Sequence, residues 1–196
     1  MQRSLYILGW AYVATCGLVL WRDARRPVAG AVHVQPAAAY AGPAGEWFQQ
    51  VKPYCNAVEV EMAQRNNAPP ATLEGAGYGA ACYALGGKID HARQVIDALP
   101  VEDRARAAGI VFDVAHPVAD AGDDRSAGPI MQLVVEYWPN HYMALYHAGM
   151  AEYSLGQPAL ARAHLERFLE HYSPDDGWRR NAIEVLERLG RSPARR

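Results

Sequence analysis

Lysine is nearly missing from this chain of 196 residues: Lys52 and Lys88 are the two it has, and its other cationic side chains are arginines. With 19 Lys and Arg against 21 Asp and Glu, the formal net charge is −2. The clustered cations that a phosphate backbone demands are absent, so nucleic acid is not an expected partner. No Cys-x-x-Cys-His string offers covalent haem attachment, and no glycine-rich loop follows a strand pattern to cradle phosphates. Ser126 and Ser154 lack recognisable histidine and acid partners for nucleophilic catalysis. The acidic stretch of Asp120, Gly122, Asp123 and Asp124 lacks the spacing and terminal glutamate of a calcium loop and reads as a solvated turn. His141 and His171 stand at opposite ends of one helix pair without a convergent cysteine or carboxylate, a poor donor set. The expectation is therefore no enzyme, no metal, no cofactor and no small-molecule substrate.

What is present is a recurrence. Gly87, Gly122 and Gly156 are separated by 35 and 34 residues, and each is followed five places later by alanine: Ala92, Ala127 and Ala161. Seven residues before each glycine stands another small residue, Ala80, Ala115 or Gly149. Nine residues after it comes Ile96, Met131 or Leu165, and three further on Leu99, Val134 or Phe168. Pro100, Pro139 and Pro174 then close the units, since the ring removes a backbone donor and stops a helix. Within the units, Val111, Val114, Ala115 and Val118 recur at helical spacing, as do Leu145, Ala148, Gly149 and Glu152, the glutamate being the one mismatch. A period near 34 residues means stacked helix pairs, each burying its apolar face against its neighbours.

Over roughly residues 70–190 these segments resemble the tetratricopeptide repeat (TPR), with its tight turn, paired small residues and closing proline. Departures are Val118 and Glu152 in the slot where the family has an aromatic, as Tyr83 is in the first unit, Phe168 in place of a small residue, and no helix-A tryptophan. The resemblance implies an all-α, right-handed solenoid of TPR-like helical hairpins.

Two helices flank the units. Residues 46–66 read as one helix ending before Pro69 and Pro70, the unpaired first partner. Ser173, Pro174, Asp175 and Asp176 supply an N-cap hydroxyl, a proline where its missing donor costs nothing, and acids at the positive end of the macrodipole. They are expected to open a last helix over 175–189, closed by Gly190, with Trp178, Ile183, Leu186 and Leu189 facing inward. Arg179, Arg180, Glu184, Glu187 and Arg188 would face water, the polar back that the end of a stack needs.

The N-terminus is of another kind. Residues 5–21 form a run of 17 without a charged side chain, between Arg3 and the trio Arg22, Arg25 and Arg26. About 17 residues is the lower limit for crossing a hydrocarbon core, and Tyr6, Trp10 and Trp21 are the amphipathic rings of such a span. A cleaved signal peptide would place small residues, not arginines, directly after the run. The expected organisation is a single-pass anchor over 1–26 in contact with the bilayer through 5–21, an Ala/Pro/Gly-rich tether over 27–45, a repeat domain over 46–190 and a disordered tail over 191–196.

Which side carries the repeats is argued two ways. The arginines after the run favour a cytoplasmic repeat domain. Cys55 and Cys82 lie on successive helices, with a midpoint inside the connection at 67–71, so in an antiparallel pair they stand at equal height. A disulfide is then allowed if both point into the seam, and would belong to an oxidising compartment. The other reading is two buried free thiols. The expectation adopted is the extracytoplasmic, periplasmic side, with the cytoplasmic orientation left open.

By the resemblance, the groove is lined by Glu74, Gly77, Ala81 and Ala84, then Gly109, Phe112, His116 and Ala119, then Met143, Tyr146, Met150 and Tyr153. This wall has no lysine and none of the Lys, Arg and Asn side chains with which family members clamp an acidic peptide terminus. Phe112, His116, Met143, Tyr146, Met150 and Tyr153 are the candidate partner contacts, suited to a protein surface. The expected function is a membrane-anchored scaffold that stabilises or assembles a bacterial multi-subunit membrane complex, for example a bioenergetic one, through contacts with its other protein subunits. The alternative is an envelope assembly or secretion factor that holds client chains transiently.

Overall fold

In the computed structural model the described residues are Tyr40 and 42–191. The expected anchor with Tyr6, Trp10 and Trp21, most of the tether, and the tail from residue 192 lie outside them. Among the described residues no helix is long and apolar enough to cross a membrane.

The described residues form helices and no strand: α1 (Gly42–Val51), α2 (Val60–Asn66), α3 (Leu73–Leu85), α4 (Ile89–Asp97), α5 (Val101–Asp120), α6 (Asp124–Tyr137), α7 (Tyr142–Ser154), α8 (Pro158–His171) and α9 (Gly177–Arg191). Three hairpins, α3 with α4, α5 with α6 and α7 with α8, follow the recurrence. Each turns on its expected glycine at positive φ: 72° at Gly87, 79° at Gly122 and 74° at Gly156. The residue after each glycine donates its N–H back across the helix end, Lys88 to the Tyr83 carbonyl, Asp123 to Val118 and Gln157 to Glu152. The glycine N–H reaches Ala84, Ala119 or Tyr153. These are the paired bonds of the Schellman stop, which satisfies carbonyls left open at a helix end and demands a left-handed residue.

The helix starts are capped as explicitly. The Thr72 hydroxyl accepts the Gly75 N–H, Asp123 accepts that of Ser126, and Nδ1 of His141 accepts that of Ala144 at 3.2 Å. Inside the hairpins Ala80, Ala92, Ala115, Ala127 and Ala161 are buried, as are the large partners Ile96, Met131, Val134, Leu165 and Phe168. At Gly149 a Cβ would stand 2.7 Å from Leu165 Cγ, which is why that crossing takes a glycine. Successive hairpins interlock: α5 packs on α3 and α6, and α7 packs on α6 and α8. Across the first seam Arg93 of α4 pairs with Glu136 of α6 at 3.0 Å, and Arg106 of α5 with Glu74 of α3 at 2.7 Å.

Two local expectations are corrected. The single helix over 46–66 is two. α1 begins at Gly42, inside the segment read as tether, and ends in a short 3-10 turn, Lys52–Tyr54, at Pro53. Asn56 then accepts the N–H groups of Val58 and Glu59 and prepares α2. Phe48 of α1 stacks on Tyr78 of α3, with ring centroids 5.1 Å apart. The last helix starts at Gly177, not 175, because Asp176 and not Ser173 accepts the first free N–H groups, those of Trp178 and Arg179. Its inner face is Ala182 and Val185, flanked by Leu186 and Leu189, whereas Ile183 is 38% exposed.

Cys55 and Cys82 are joined, with Cα atoms 4.8 Å apart, tying the segment after α1 to the last turn of α3.

Candidate functional site

The backbones of α5 and α7 stay apart, and side chains bridge them. Between them opens a recess of about 390 Å³, lined by Gly109, Phe112 and Asp113 of α5, Trp138 and Asn140 of the connection, and His141, Tyr142 and Met143 at the start of α7. Trp138 lies over α5 because Gly109 has no side chain there; a Cβ would stand 3.3 Å from its ring. A smaller recess between α1 and α2, about 280 Å³, is lined by Val51, Tyr54 and Met62 among others.

From Trp138 the rings form a continuous ladder. Trp138 meets His141 edge to face at 4.7 Å, His141 meets Phe112 at 4.1 Å, and Phe112 stacks on His116 at 4.7 Å. His116 meets His147 at 5.0 Å, and His147 meets Trp178 of α9 at 5.7 Å. Three helices, α5, α7 and α9, and the connection before α7 thus contribute to one aromatic wall. Such contacts favour offset and edge arrangements and keep the rings rigid.

The buried part of the wall is held neutral. Burial, and then the charge of His116, push the His147 imidazole down to about 3. Burial also lowers His141, and desolvation in the concave face raises the Asp113 carboxyl. Asp120, at the end of α5, brings Oδ1 to 3.4 Å from Nε2 of His116 and 3.5 Å from Nε2 of His147. It is therefore more than part of the solvated turn expected from the sequence.

Of the expected contact residues, Phe112 and Met143 line the recess and His116 belongs to the ladder. Met150 and Tyr153 are half-buried against the core. Tyr146 is corrected: it is 5% exposed, packed on Phe168 and Trp178, and its hydroxyl accepts a hydrogen bond from Asn181 at 2.6 Å. The terminal helix covers it, so Tyr146 docks α9 and is not open surface. Trp138, Asn140, Tyr142, Asp113 and His147 are recess or ladder residues that the family's alternating positions do not reach. His147 follows Tyr146 by one residue, a shift that the local geometry of α7 decides.

The architecture defines a helical-repeat protein, in which consecutive hairpins bury their faces on one another. Residues 143–174, comprising nearly all of α7 and α8, match the family model for the tetratricopeptide repeat, and with the three in-phase hairpins this makes the chain a TPR-like protein. No curated protein and no solved structure matches it. Repeats of this kind are protein-contact scaffolds, and the folds they build are typically non-catalytic.

Proposed function

We propose that the chain is a membrane-anchored TPR-like scaffold that holds protein subunits of a multi-subunit membrane complex together. One observation carries the reading: the aromatic and apolar recess between the second and third hairpins, open to solvent at Trp138 and Tyr142 and free of lysine. Rigid aromatic surface of this kind favours protein contact at low entropic cost. The uncharged run over 5–21 supplies the anchor. The Cys55–Cys82 bridge supports an extracytoplasmic repeat domain, since disulfides persist in oxidising compartments.

Gentle detergent extraction of native membranes is expected to yield this chain in a fixed ratio with other subunits, and Trp138→Ala with Met143→Ala to release them while helicity stays. Free protein with client-dependent crosslinks would instead mark a transient holding factor. For orientation, a membrane-impermeant thiol reagent is expected to label Cys55 and Cys82 in intact cells only after reduction. Labelling that needs cell lysis but no reductant would reverse the assignment.

A further inference from the structure

We propose that His116, Asp120 and His147 form a binding site for one divalent transition-metal ion of the zinc class. The ligands are the two imidazole Nε2 atoms and one carboxylate oxygen, with a remaining position open to water.

The three donor atoms lie within 4.8 Å of one another, and among the described residues this is the one such group. Bonds of about 2.0–2.1 Å to nitrogen and oxygen set neighbouring donors of a tetrahedral ion about 3.3 Å apart. The two distances to Asp120 Oδ1, 3.4 and 3.5 Å, already match that edge. Drawing the two imidazole nitrogens together from a separation of no more than 4.8 Å completes the face.

A second observation is independent of the clustering. Neither Nε2 makes a hydrogen bond, although both atoms are buried. His147 is the more demanding case: its side chain is 6% exposed, and its unpartnered nitrogen is aimed at Asp120 and His116. A buried polar atom without a partner is rare and calls for one, and a metal ion satisfies both nitrogens at once. The surroundings suit the task. Phe112 stacks on the His116 ring and Trp178 abuts that of His147, which fixes both planes.

The donor set selects the ion. Two imidazoles and one carboxylate suit zinc and its first-row neighbours, whereas magnesium and calcium prefer all-oxygen shells. Three protein ligands leave a place for water, as in sites that exchange a ligand. The ion joins the last turn of α5 to the middle of α7, two helices whose backbones do not run together, and so fixes the angle of the second hairpin on the third. This inference does not depend on the membrane reading.

The test uses the untagged full chain in detergent, stripped with chelator and titrated with Zn²⁺ by calorimetry, with Co²⁺ as a visible-absorption probe. One equivalent is expected to bind and to raise the thermal midpoint. Asp120→Asn and His116→Ala, both changes at half-exposed positions, are expected to weaken binding at least about tenfold and to abolish the midpoint rise. His91→Ala, outside the cluster, is expected to bind as the parent does. His147→Ala is read only if it folds; the decision rests on the other two variants. Sub-stoichiometric binding by the parent overturns the site, as does binding that survives both Asp120→Asn and His116→Ala or is lost equally in His91→Ala.

Discussion

The carboxylate of Glu152, 1% exposed on α7, lies 2.7 Å from Nδ1 of His164 on α8 and accepts a hydrogen bond from Gln132 of α6 at 2.8 Å. The one residue that breaks the apolar pattern of α7 is thus the junction of three helices. Removing it leaves the half-buried His164 without its partner, at a cost of about 1–3 kcal/mol, whereas the exposed Gln132 can turn to water. Glu152→Ala is expected to lower stability by that order in urea unfolding. Glu152→Gln, which retains hydrogen-bonding atoms of the same shape, is expected to lose less. Equal losses in the two would assign the effect to volume alone.

How much of this was legible beforehand depends on the range of the interaction. Gly87, Gly122 and Gly156, with their alanines five places on, announce the hairpins because the Schellman stop and the helix crossing are local and recur in phase. Pro53 was a readable interruption of the helix expected over 46–66, since its ring removes a donor. His116, Asp120 and His147 converge only because of the angle at which α5 meets α7, and that angle is set by Gly109, Trp138 and other packing distant in sequence. Tyr146 became a docking residue through α9, whose seat on the third hairpin no periodicity encodes. Glu152 shows the same limit: a polar residue on a core face is readable, its partners on α6 and α8 are not.

The turn glycines test the backbone argument directly. A Cβ added at Gly87 meets nothing within 4 Å, so any cost of Gly87→Ala comes from φ of 72° and not from crowding. Left-handed backbone is unfavourable for alanine by about 1–2 kcal/mol. The expected loss is of that size by thermal or urea unfolding. Gly190→Ala, in helical backbone with equally open space, is expected to be neutral or stabilising. A neutral Gly87→Ala would mean that the turn relaxes.

Gly149 tests packing, with the sign reversed from the helix-propensity rule. Alanine in a helix interior ordinarily stabilises relative to glycine. Here the new Cβ would sit 2.7 Å from Leu165 Cγ and 3.3 Å from the Ala161 carbonyl oxygen. Overpacking a close crossing costs about 1–3 kcal/mol, which outweighs the propensity gain. Gly149→Ala is expected to destabilise, and the double change Gly149→Ala with Leu165→Val to recover part of the loss. A Gly149→Ala protein more stable than its parent would show that α7 and α8 separate easily.

Acid should loosen the third hairpin through His141. Its Nδ1 accepts the Ala144 N–H, which only the unprotonated nitrogen can do, and burial lowers its pKa below the ordinary 6.5. His116, facing it across Phe112, shifts it the same way by charge. As pH falls through about 6.5 the unfolded chain takes up this proton before the folded one. Stability conferred by the neutral cap is therefore full above that pH and declines below it, until the folded imidazole also titrates. Asparagine caps equally well and does not titrate. In chelator-containing buffer, His141→Asn is expected to match the parent near pH 7.5 and to lose less of its thermal midpoint between pH 6.5 and 5. His147 is present in both proteins and cancels from the comparison. Parallel acid limbs in the two would mean that the cap tolerates protonation.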